Sequence, residues 1–74
     1  MELKPLKHAH SGSNTTHFGY DEATRTLRVK FSSGKVAEYD NVPPQLAAGL
    51  ENAPSHGSFF NKHIKGGAFT WRYV

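Results

Sequence analysis

The chain has no cysteine in its 74 residues, and this absence restricts its fold more than any motif does. A chain this short removes only about 60% of its unfolded surface from water. Small domains commonly make up the deficit with disulfides or a structural metal, and here disulfides and thiolate zinc sites are excluded. The core must therefore come from five Phe, three Tyr and one Trp, since each large ring buries roughly 150–250 Å². One domain is the only count this length allows. No apolar run approaches the ~20 residues needed to cross a bilayer, and no signal-peptide core follows Met1. The expectation is a cytoplasmic protein with no membrane partner.

Hydrophobic periodicity then orders the chain. Residues 1–12, MELKPLKHAHSG, are polar and without period, which predicts a flexible arm ahead of a single domain over 13–74. Thr16, Phe18 and Tyr20 alternate with Thr15, His17 and Gly19, as in a half-buried strand. Leu27, Val29 and Phe31 mark the clearest strand, and Ser32-Ser33-Gly34 follows as a hairpin signal. A two-residue loop would set Val29 opposite Glu38 and bring a charge onto the apolar face. A three-residue loop, with Gly34 in the left-handed position, pairs Val29 with Ala37, Leu27 with Tyr39 and Arg28 with Glu38. The second register is the one the pattern predicts.

Pro43-Pro44 opens a helix, because a first turn has no use for the missing N–H. Val42, Leu46, Leu50 and Ala53 share one face of it, with Gly49 a weak point unless a neighbour needs close approach. Pro54 ends it, and Ser55 caps a second helix over His56–Lys65 in which Phe60 and Ile64 stack. Gly66-Gly67 stops that helix, and Ala68–Val74 alternates again with Phe69, Trp71 and Tyr73 on one side. The expected fold is α+β, an antiparallel sheet in the order β-β-β-α-α-β with two short helices on one face.

The run Gly19-Tyr20-Asp21, Leu27-x-Val29-x-Phe31, Ser33-Gly34, Tyr39-x-x-Val42-Pro43 and Ala53-x-Ser55-x-Gly57-x-Phe59-Phe60-Asn61-x-x-Ile64-Lys65 resembles the KTSC domain. That family is named after the C-terminal region of some lysyl-tRNA synthetases and also occurs as small stand-alone bacterial and phage proteins. The resemblance runs from about Ser13 to Val74. It implies a domain of unestablished function for which RNA binding is proposed from the synthetase context. The sequence departs from the family where a Tyr-x-Tyr pair is usual, since Ala37-Glu38-Tyr39 keeps only the second tyrosine. The hairpin register puts position 37 on the apolar face, which favours packing as the role of the pair.

Charge suggests the partner. The net charge is +3, and after Glu51 there is no acidic residue, while Lys62, Lys65 and Arg72 remain with His56 and His63 beside them. Such a basic C-terminal third suits phosphate. The expected function is nucleic-acid binding, most of all RNA, by a non-enzymatic module. Lys62, Lys65, Arg72, Arg28 and Lys30 would supply charge, and Ser55, Gly57 and Asn61 would shape the contact. The alternative is a protein–protein interaction module docking through the helical block or an open sheet edge. Phe69, Trp71 and Tyr73 could stack bases, but in so short a chain their burial as core is the expectation.

Metal and catalytic chemistry find little footing. His8-x-His10 lies in the arm without carboxylates, and His56 and His63 would be about 10.5 Å apart along a helix axis, too far for one ion. Ser55 and His56 are neighbours in sequence without being aimed at one another, and Asp21-Glu22, Glu38 and Asp40 form no acid–base pair. Neither an enzyme nor a cofactor is expected.

Overall fold

A computed structural model describes residues 2–6 and 15–74. Within them the chain forms β1 (Lys4–Pro5), β2 (Thr15–Asp21), β3 (Thr26–Phe31), β4 (Val36–Tyr39), α1 (Pro44–Asn52), α2 (His56–Phe59), a π-helical segment (Phe60–Lys65) and β5 (Trp71–Tyr73). The strands make one antiparallel sheet in the order β1-β2-β3-β4-β5, so β1 and β5 are its edges. The α+β class and the placing of the helices after β2, β3 and β4 follow expectation, but the element order gains a strand at the N-terminus. Lys4–Pro5 pairs with His17 and Phe18, and Leu6, whose N–H donates to the Thr16 carbonyl, is buried in the core. A two-residue strand leaves no alternation to read, which is why residues 2–6 look like arm. Residues 7–14, the rest of the expected arm and its junction with the domain, lie outside the described residues.

The central hairpin follows its charge logic. Leu27 pairs with Tyr39, Arg28 with Glu38 and Val29 with Ala37. Gly34 takes φ +94°, and its N–H donates to the Phe31 carbonyl at 2.9 Å, closing the turn with the residue that reaches left-handed space at least cost. At the other end of the sheet, the Tyr20 hydroxyl donates to the Val42 carbonyl at 2.6 Å and the Val42 N–H donates to the Arg25 carbonyl at 2.9 Å. These two bonds tie the β2–β3 turn to the chain entering α1.

Both helical segments lie on the face that carries Phe18, Leu27, Val29, Ala37 and Tyr39, and they close it with Ala47, Leu50, Phe60 and Ile64. Burial of these side chains, several of them fully, supplies the stability that disulfides provide in other small domains. Gly49 is needed for that closure. A Cβ there would meet Phe59 Cζ at 2.6 Å, so the residue that weakens the helix is the one that lets the second helical segment dock.

The expected single helix over His56–Lys65 is instead one α-turn that widens at Phe60, and the Gly66 N–H reaches back five residues to the Asn61 carbonyl at 3.1 Å. Single π-turns of this kind are rare and tend to occur at functional sites. Phe60 and Ile64 remain on the buried side, as their spacing predicts.

The last strand departs most from expectation. Phe69 is half-buried against the core, but Trp71 and Tyr73 are 48% and 58% exposed. They do point to the helical side of the sheet, opposite Tyr39 and Ala37. The helical segments stop short of β5, however, so a face that alternation marks as inner is left open. Among the described residues no helix is long and apolar enough to cross a membrane.

Candidate functional site

The sheet presents two contrasting faces. On the side away from the helices, Arg28 Nε donates to Glu38 Oε1 at 2.8 Å, Arg72 Nη1 donates to Glu38 Oε2, and Arg72 Nη2 donates to Asp40 Oδ2 at 2.6 Å. The hydrogen bond and charge of Asp40, followed by those of Glu38, push the Arg72 pKa further above its ordinary range. Two guanidinium groups and two carboxylates thus cancel in one network. Lys30 lies on the same face, between the alternating core residues Val29 and Phe31.

On the helical side a groove of about 940 Å³ opens between the π-helical segment and β5. Tyr39, Phe60, Trp71 and Tyr73 line it, Lys35 and Lys65 supply its charge, and Asn61 adds an amide. No Asp or Glu is among its lining residues. The rings are ordered by mutual contact. Trp71 stacks on Tyr39 at 5.8 Å between centroids with 22° between planes. Tyr73 meets Trp71 edge-on at 5.1 Å, and Phe60 meets Tyr39 edge-on at 5.6 Å. Lys35 Nζ sits 5.2 Å from the Tyr73 ring centroid, a cation–π contact. Burial, then the nearby Tyr73, raises the Tyr39 pKa above the ordinary tyrosine value, so its hydroxyl stays neutral.

This architecture sorts the residues named from sequence. Asn61 and Lys65, four apart on the π-helical segment, both face the groove. Lys62 is exposed on the same segment but outside the groove lining. Arg28, Lys30 and Arg72 are on the opposite face of the sheet. The Ser55 side chain is occupied as a cap, accepting from the Ser58 N–H at 3.4 Å and donating to Ser58 Oγ at 3.1 Å. Gly57 is half-buried in the turn that follows.

His56, counted with the basic surface from sequence, is 1% exposed and hydrogen-bonds through Nδ1 to the Leu50 carbonyl at 2.7 Å. It is an internal strut between α1 and α2. His63 is exposed, with its ring 4.4 Å from that of Phe59. Among the described residues no three His, Cys, Asp or Glu come together to hold a metal, and His8 and His10 lie outside those residues.

Lys35, Trp71 and Tyr73 are among the groove residues that sequence reasoning did not place in a site. Trp71 and Tyr73 stay uncovered because β5 is an edge strand paired with β4 alone and the helical segments do not reach across it.

The model of the KTSC domain matches residues 11–69. This chain belongs to the KTSC family. The KTSC chain is 51% identical over 64 residues to a lysine–tRNA ligase of Nostoc punctiforme, a match covering 86% of this chain and 10% of the ligase. It spans about a tenth of the lysine–tRNA ligases it matches, that of Trichormus variabilis included, at 46% identity over 64 residues. It is also 40% identical over 53 residues to an uncharacterized protein of Stutzerimonas stutzeri, covering 72% of this chain and 75% of that one. A crystal structure of a KTSC domain protein from Yersinia pestis has the same fold, with a TM-score of 0.84, 30% identity, and coverage of 99% of this chain and 96% of the other. In this KTSC domain Ala37, which stands where the family's first tyrosine is usual, is fully buried with Val29 and Tyr73 as its cross-strand partners. Position 37 is therefore a packing position here.

Proposed function

We propose that this KTSC domain binds nucleic acid, RNA in first place, through the aromatic groove and with Lys35 and Lys65 on phosphates. The observation that carries this is the make-up of the groove: exposed rings and two lysines, with no carboxylate among its lining residues. Aromatic side chains interleaved with cations suit a ligand that is itself aromatic and anionic. Lys62, on the same segment as Lys65, extends the charge toward a flanking phosphate. The sheet's other face suits a polyanion less, because Glu38 and Asp40 already hold Arg28 and Arg72. The names of the lysine–tRNA ligase relatives favour RNA over DNA.

Two substitutions that each remove one positive charge test the choice of face. In anisotropy titrations with labelled single-stranded RNA, Lys65→Ala should reduce the slope of log K against log salt by about 0.7, the value of one lost phosphate contact on a single strand. Lys30→Ala should leave the slope unchanged. A larger effect from Lys30→Ala would move the contact to the opposite face. An absence of binding even at low salt would rule out the nucleic-acid reading and favour a protein strand adding to the open β5 edge.

A further inference from the structure

Building on the nucleic-acid reading, we infer that the groove selects unpaired nucleotides, with a base stacked on Trp71 and the adjoining phosphates held between Lys35 and Lys65. Trp71 is arranged as a platform. One side of its indole rests on Tyr39 at 5.8 Å and 22°, Tyr73 buttresses it edge-on at 88°, and its place on an edge strand leaves it 48% exposed. A large ring fixed by two aromatic neighbours yet half open to water loses little freedom when a third ring covers it. That preorganisation favours stacking over an induced rearrangement.

A nucleotide outside a duplex suits such a platform, because stacking covers both faces of every internal duplex base and pairing takes its Watson–Crick edge. A duplex could still offer its phosphates to the lysines, but it would leave the indole uncovered. The cations stand where a backbone passing the platform needs them. Lys35 is held over the Tyr73 ring on one side, and Lys65 lies on the π-helical segment across the groove. Asn61, on the same segment, brings an amide NH2 donor group and a carbonyl acceptor to the groove, the two functions needed to meet a base edge. On this segment Phe60 and Ile64 stay in the core while Asn61 and Lys65 line the groove.

Trp71 is the only tryptophan in the chain, so its emission reports directly on the platform. The full chain is titrated with a single-stranded RNA octamer, with the same octamer annealed to its complement, and with inorganic polyphosphate as an anion without bases. The expected result is saturable quenching by the single strand alone, at the concentrations where anisotropy shows binding. Trp71→Ala should weaken single-strand binding about 10- to 100-fold, the equivalent of one lost stacked base, and Trp71→Phe should recover most of it. If the alanine variant does not fold, the wild-type quenching comparison decides alone. Equal binding of single strand, duplex and polyphosphate without quenching would overturn the stacking platform and leave the lysine contacts standing. Binding of none of the three would overturn both.

Discussion

Truncating Phe60 to alanine should remove about 3–5 kcal/mol of stability, the range for deleting a buried aromatic side chain. Phe60 is 2% exposed and meets Phe31 at 5.4 Å and Tyr39 at 5.6 Å, edge-on in both cases. It fills the space between the π-helical segment and the β3–β4 hairpin, and no disulfide or metal-binding thiolate backs it up in a chain without cysteine. Domains carry roughly 0.05–0.15 kcal/mol per residue, about 4–11 kcal/mol at this length, so a loss of this size removes at least about a third of the stability. Urea unfolding should show the midpoint falling by more than about 1 M at an unchanged slope. A loss below about 1 kcal/mol would mean that the second helical segment is not anchored through this ring, contrary to the core described above.

A second large effect is expected at His56. Its ring is buried, and its Nδ1 is 2.7 Å from the Leu50 carbonyl, so that nitrogen carries a proton and donates to the carbonyl. His56→Ala should cost about 2–4 kcal/mol, combining a cavity with the loss of a buried hydrogen bond. His63→Ala, on the exposed side of the same helical block, should stay within about 0.5 kcal/mol if surface substitutions behave as usual. Measured side by side in urea, the two histidines should therefore differ by several-fold. A reversed order would return His56 to the surface, where charge counting alone had put it.

These two residues also show what a sequence can and cannot convey. The hairpin register was legible because one loop length buries Glu38 opposite Val29 and the other pairs it with Arg28, a choice that depends only on neighbours along the chain. Phe60 was legible as core because its spacing from Ile64 puts both on one side of any helical turn. The same spacing hid the π-turn, since α and π geometries both bring residues four apart close together. His56 misled because its burial depends on where α1 lies, and no pattern within His56–Lys65 carries that information. Gly49 was readable only as a conditional weakness, and Phe59 turned out to be the neighbour that requires it.

The candidate site divides along the same line. Asn61 and Lys65 stood out because they belong to the motif that resembles the KTSC domain. Trp71 and Tyr73 were assigned to the core because alternation tells which side of a sheet a residue faces, while the reach of two short helices across that side decides whether it is covered. Lys35 drew no attention in a hairpin chosen for its turn. Arg72 looked available because it and Asp40 are far apart in sequence, and only strand pairing brings β5 beside β4, whereas the Arg28–Glu38 pair was legible in the hairpin register.

The central claim is that RNA occupies the groove between β5 and the π-helical segment. Amide and indole shift mapping of the 15N-labelled chain, titrated with a single-stranded RNA octamer, tests it most directly. The account predicts shifts concentrated at the Trp71 indole, Lys35, Asn61, Lys65 and Tyr73, with Arg28, Lys30 and Glu38 nearly still. Shifts centred on Arg28, Lys30 and Glu38, with the Trp71 indole unmoved, would contradict it.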